Sequence, residues 1–154
     1  MQDPVATFEL KTENDTARLA ESLASNMAPG DAILLFGDLG AGKSFFARSF
    51  IRHLIGPETE VPSPTFTLVQ TYQAPDFEIW HCDLYRLSDE SEAIELGLDE
   101  ALESAVCLIE WPERLGDFAP TDAIELHLTH QEHGRRVEIR GSNPRLMKAL
   151  EIDE

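Results

Sequence analysis

Apolar positions along this chain recur with two different periods, and each change of period marks a new element. Thr7-Phe8-Glu9-Leu10 alternates and predicts a short strand. Thr12 with Asp15 fits a capping box, opening a helix whose Ala20, Leu23, Ala24 and Met27 share one face and which Pro29-Gly30 ends. Ala32-Ile33-Leu34-Leu35-Phe36 is an unbroken apolar run and reads as a buried strand. Phe45, Phe46, Ser49, Phe50 and Leu54 then fall at helical spacing, up to Gly56-Pro57. After a loop stiffened by two prolines, Val61 to Phe66, a strand is predicted over Thr67–Tyr72 and a second over Phe77–Asp83, paired through an Ala74-Pro75-Asp76 turn.

Ser88 and Asp89 can cap a helix over Ala93, Ile94 and Leu96 that ends at Gly97, and Ala101-Leu102 belongs to another short helix. Val106-Cys107-Leu108-Ile109-Glu110 is a buried strand ending in a carboxylate. Ala123 to Leu128 and Arg136 to Ile139 alternate as a closing hairpin around His130 to Gly134, and Asn143-Pro144 starts a last helix. No repeat, linker or low-complexity segment interrupts the series. The 154 residues are expected to form a single domain, 1–154, of the α/β class, whose parallel core sheet carries some antiparallel strands.

Between the buried strand and the helix behind it lies Gly37-Asp38-Leu39-Gly40-Ala41-Gly42-Lys43-Ser44, which fits the phosphate-binding pattern G-x-x-x-x-G-K-[ST]. Strand, glycine-rich loop and helix in that order is the context the motif needs. Glycines let successive backbone N–H groups turn toward phosphate oxygens, and the helix N-terminus adds partial positive charge. Lys43 is expected to reach the β- and γ-phosphates, and the Ser44 hydroxyl to ligate Mg²⁺. Nucleoside triphosphate binding follows.

Such a loop works with a carboxylate at a neighbouring strand end. Asp83 and Glu110 both follow apolar runs. The cleaner run precedes Glu110, so Glu110 is expected beside the metal and Asp83 on the attacking or metal-bound water. Thr65 either senses a γ-phosphate or caps the following strand. Trp111 and His81 read as core residues. Arg86, Arg114, Arg135 and Arg136 are equal candidates for a γ-phosphate contact.

Charge narrows the partners. The formal charge is −17, and the three lysines are Lys11, Lys43 and Lys148. Nucleic-acid affinity rests on basic side chains neutralising phosphates, so tight RNA or DNA binding by this chain alone is not expected, and a basic protein is the better partner. No apolar run approaches the ~20 residues of a membrane helix, and Met1-Gln2-Asp3-Pro4 does not resemble a signal peptide. A cytoplasmic protein with Cys82 and Cys107 as buried free thiols is expected.

The P-loop, together with Pro62-Ser63-Pro64-Thr65-Phe66-Thr67-Leu68-Val69, His81-Cys82-Asp83-Leu84-Tyr85-Arg86-Leu87 and Ile109-Glu110-Trp111-Pro112-Glu113, resembles the TsaE (YjeE) family. The resemblance runs from about Thr12 to Arg136. It implies a P-loop NTPase-like fold with a central parallel sheet flanked by antiparallel strands and helices on both faces. It also implies an ATPase, weak alone, with ATP and Mg²⁺ as cofactors. Its partners would be TsaD and TsaB, which place N6-threonylcarbamoyladenosine beside the tRNA anticodon, with tRNA met only through them. Lys43 and Ser44 would serve phosphate and Mg²⁺, Asp83 and Glu110 the metal and hydrolysis, and Trp111 a functional role. Glu13, before the body of the first helix, would lie near the base. This chain has Ser44-Phe45 where the family usually has Thr-Thr, which leaves Phe45 only its backbone N–H for phosphate. A small-molecule kinase is the alternative reading of the loop.

Overall fold

The computed structural model describes residues 6–38, 42–64, 67–141, 143, 145, 146 and 148. Strand β1 (Ala6–Leu10) leads into helix α1 (Glu13–Ala24), then β2 (Ala32–Phe36) and α2 (Lys43–Ile55). A hairpin of β3 (Val69–Gln73) and β4 (Glu78–Asp83) follows. Two short helices, α3 (Ser91–Glu95) and α4 (Leu98–Ser104), precede β5 (Val106–Glu110), a 3-10 helix over Pro112–Phe118, β6 (Ile124–His130) and β7 (Arg135–Gly141). The strands form one sheet in the order β1-β7-β6-β2-β5-β4-β3. Pairings β6-β2, β2-β5 and β5-β4 are parallel, while β1-β7, β7-β6 and β4-β3 are antiparallel. A parallel centre flanked by antiparallel strands is the arrangement expected from the sequence.

Strand alternation divides the core into two layers. Ile33 and Leu35 of β2, Val106 and Leu108 of β5 and Ile124 and Leu126 of β6 pack with Leu19, Leu23, Phe46 and Phe50 of α1 and α2. Ala32, Leu34, Cys107 and Ile109 point the other way, toward Ala93, Leu98 and Ala101 of α3 and α4. Helices therefore cover both faces. Phe46 and Phe50 are wholly buried, and each contributes about 1.5–3 kcal/mol by leaving water.

The capping box at α1 is formed: Asp15 N donates to Thr12 Oγ1 at 3.2 Å, and Thr12 N donates back to Asp15 Oδ2 at 3.2 Å. Strand β3 starts at Val69 rather than Thr67, and three details of the helices also differ from the sequence pattern. Helix α1 stops at Ala24, because Asn26 turns its side-chain amide back onto the Ser22 carbonyl at 2.8 Å; Met27 still packs on the α1 layer from beyond the helix end. The buried stripe of α2 includes Ala47 and Ile51, with Phe45, Ser49 and Leu54 only half-buried at its margins. Ile94 is 50% exposed, since α3 is one turn long and turns only Ala93 fully inward. At the C-terminal end Asn143 Oδ1 accepts from Leu146 N at 3.3 Å, as a cap should, while Pro144 lies outside the described residues. Among the described residues no helix is long and apolar enough to cross a membrane.

Candidate nucleotide-binding site

The three central parallel strands β2, β5 and β4 end together, and the loop into α2 leaves from the first of them. Register sets Leu35 opposite Glu110 and Glu110 opposite Asp83. Strand parity then fixes the face. On β5, Glu110 shares the side of Val106 and Leu108, and on β4, His81 and Asp83 share the side of Ile79; all of these apolar residues belong to the α1/α2 layer. The acids thus stand beneath the N-terminus of α2, where Lys43 begins the helix. The carboxyl ends of parallel strands are where such sheets take ligands.

Lys43 is 4% exposed, yet its Nζ has no hydrogen-bond partner among the described residues. The ammonium lies 3.9 Å from the centroid of the Trp111 ring, a cation–π contact that shields it without supplying an acceptor. Desolvation lowers the Lys43 pKa from its ordinary 10.5, opposed by the charges of Glu110, Asp83, Glu113 and Asp38. An ammonium so buried and so poorly satisfied is costly unless an anion joins it. Trp111 itself sits at φ 58°, in the left-handed region, and its ring meets Tyr85 at 4.8 Å. Leu68 is the other described non-glycine residue with positive φ, and its carbonyl accepts from Asp83 N at 2.9 Å. Both strained residues therefore border the acids.

Glu110 and Asp83 are 4% and 6% exposed. His81 Nε2 lies 2.7 Å from Glu110 Oε2, so His81, read from the sequence as core, is in contact with the candidate site. Tyr85 N donates to Asp83 Oδ1 at 3.1 Å. Cys82 and Cys107 are buried free thiols, as expected. Burial pushes the Cys107 thiol up to about 12, and burial with the neighbouring Cys107, Asp83 and Glu110 raises Cys82 as well, so both stay protonated.

Gly42 takes φ 107° directly before α2, and a Cβ there would meet Arg135 Cδ at 2.9 Å and Nε at 3.0 Å. That space is used by the Arg135 side chain, which approaches from β7, the side of the sheet away from β5. Of the candidate arginines, Arg135 thus packs against Gly42 of the loop, whereas Arg136 donates to Glu9 at 2.8 Å and Arg114 lies over Tyr85 at 5.8 Å. Gly37 and Asp38, with Phe36 and residues His127 to His130, line a cleft of about 370 Å³. Ser44 and Phe45 are half-buried in the first turn of α2. Glu13 is exposed and makes no hydrogen bond or ion pair among the described residues. Leu39, Gly40, Ala41 and Thr65 lie outside the described residues.

Residues 10–137 match the model of the family TsaE, threonylcarbamoyl adenosine biosynthesis protein TsaE. A Rickettsia bellii protein called tRNA threonylcarbamoyladenosine biosynthesis protein TsaE is 44% identical over 128 residues, which cover 83% of this chain and 89% of that one. The Bacillus subtilis protein of the same name is 39% identical over 113 residues, covering 73% and 70%. The crystal structure of Bacillus subtilis YdiB aligns with a TM-score of 0.78 and 26% identity, over 97% of this chain and 96% of that one.

Proposed function

The chain belongs to the TsaE family, and on that premise we propose that it is a Mg²⁺-dependent ATPase that serves tRNA threonylcarbamoyladenosine biosynthesis through a TsaD–TsaB complex. The observation that carries this reading is the Lys43 ammonium, buried at the head of α2 with no acceptor among the described residues. Polyphosphate is the ligand that satisfies it. The donor set also fits a small hard cation: two strand-end carboxylates and the Ser44 hydroxyl suit Mg²⁺, which takes one or two carboxylates and leaves its remaining positions to phosphate and water.

Backbone N–H groups of the segment from Gly37 to Phe45 hold the phosphates, and Lys43 stabilises the charge that grows on the γ-phosphoryl oxygens. Ser44 and Glu110 would hold the metal, which would supply neutralisation of phosphate charge when bound. Asp83 orients water for in-line attack. Glu13 lies toward the base. Thr65 and Trp111 couple nucleotide state to the partner, Trp111 by exchanging its contact with Lys43. The protein acts in the cytoplasm as a single domain, and tRNA is met only through the partners, consistent with the charge of −17.

One capture series tests this. Loading with a non-hydrolysable ATP analogue should strengthen retention of TsaD–TsaB, since the γ-phosphate is the contact that differs between states. Free tRNA should bind the isolated chain weakly and be lost as salt rises. Tight, salt-resistant tRNA binding would overturn the partner-ATPase reading. Phosphate transfer to a small acceptor in place of free phosphate release would replace it by a kinase.

A further inference from the structure

His81 is buried beside the proposed reaction without a part in it so far. Its Nε2 stands 2.7 Å from Glu110 Oε2, with the two side chains 1% and 5% exposed. Its Nδ1 is also buried and has no hydrogen-bond partner among the described residues. The Glu110 carboxylate is thus the one polar group the ring serves among the described residues. Register places His81 opposite Leu108, one pleat below the facing pair Asp83 and Glu110, on the same face of the sheet. As mere filling, an imidazole is a poor choice there. An apolar side chain of similar volume would leave no orphaned nitrogen, as Ile79 does two residues earlier on that face.

We infer that His81 is a positioning residue for Glu110. With its proton on Nε2, the ring donates to Oε2 and fixes the rotation of the carboxylate, which leaves Oε1 as the oxygen that serves the metal side of the site. A glutamate reaches its carboxylate through three torsions, and anchoring one oxygen removes much of that freedom before any ligand arrives. The same donor offsets part of the cost of burying the charge. The inference rests on the proposed metal-side role of Glu110.

The test reads binding, not turnover. The Trp111 ring lies 3.9 Å from Lys43 Nζ, so tryptophan emission in a Trp80→Phe background reports a non-hydrolysable ATP analogue as Mg²⁺ is titrated. In His81→Leu the Mg²⁺ needed for half the signal change should rise about 10-fold or more, with analogue affinity in the absence of Mg²⁺ unchanged. His81→Gln, whose amide can still donate to Oε2, should recover most of the shift. Added to Glu110→Gln, His81→Leu should shift nothing further. An unshifted Mg²⁺ dependence in folded His81→Leu, or a full further shift in the Glu110→Gln background, overturns the inference. Should the leucine variant fail to fold, His81→Asn, too short to reach Oε2, must show the shift that His81→Gln lacks. Glu110→Gln alone tests the underlying reading: no shift there removes the metal-side role of Glu110. A shift there with none in His81→Leu removes only the role of His81.

Discussion

The two ends of β2 bury opposite kinds of polar group. Just before the strand, Asp31 is 8% exposed and fully engaged: its carboxylate accepts from Ala28 N at 2.8 Å, from Arg145 Nη2 at 2.8 and 2.7 Å, and from Asn143 Nδ2 at 3.3 Å. Arg145 also donates to the Asn26 carbonyl, so the cluster ties the end of the chain to the turn after α1. Past the other end, Lys43 is 4% exposed and engaged with no acceptor among the described residues. A satisfied buried charge holds structure together. An unsatisfied one costs stability and is retained where a ligand completes it. The contrast separates latch from site at the two ends of one strand.

The largest effect should come from the unsatisfied end. Lys43→Met is expected to raise the melting temperature of the nucleotide-free protein, because it removes a desolvated ammonium, and to abolish stabilisation by ligand. Wild type at about 100 times the Kd of Mg²⁺ and ATP analogue should gain about 2.7 kcal/mol, and the variant nothing. The pKa of Lys43 gives a second sign. The fold holds this proton less tightly than the unfolded chain does, so nucleotide-free stability has a component that is lost below the folded-state pKa and grows as pH climbs toward 10.5. Alkaline melts of wild type should show that rise, and Lys43→Met should lack it.

Next in size is Asp83→Asn, which should lower turnover about 100-fold if the carboxylate orients water, while the ATP analogue still binds. A shift of Mg²⁺ dependence in Asp83→Asn and none in Glu110→Gln would mean that the two acids have exchanged roles. Asp31→Ala should cost about 2 kcal/mol in urea melts through the loss of charged hydrogen bonds, with nucleotide affinity unchanged. Weakened nucleotide binding there would erase the distinction between the two ends of β2. The smallest change is Thr12→Ala, which removes the α1 cap and should cost about 1 kcal/mol with no effect on turnover.

Local patterns carried most of the fold in the sequence. The capping box, the strand runs and the hairpin turn are all short-range physics, and each stands within two residues of its expected place; β3 starts at Val69 rather than Thr67, because Leu68 takes φ 68°. The P-loop and the two strand-end acids were legible too, because apolar run followed by acid is itself a positional signal. What the sequence withheld depends on packing across the sheet. Arg145 meets Asp31 from 114 positions away, and Trp111 meets Lys43 only because β5 lies beside β2. His81 had a usable signal: it sits two residues before Asp83, hence on the same strand face, but choosing Glu110 as its partner required the register of β4 on β5. Ile94 misled because helical spacing cannot say that a one-turn helix has little core to meet.

In the function proposed above, this chain releases phosphate from ATP at the Lys43 site in service of its partners. Phosphate release from Mg²⁺ and ATP, measured for wild type and Lys43→Ala with and without TsaD–TsaB, tests it directly. Expected are slow release by wild type alone, a clear acceleration by the complex, and at least about a 100-fold loss in folded Lys43→Ala under both conditions. Equal turnover in wild type and folded Lys43→Ala would contradict it.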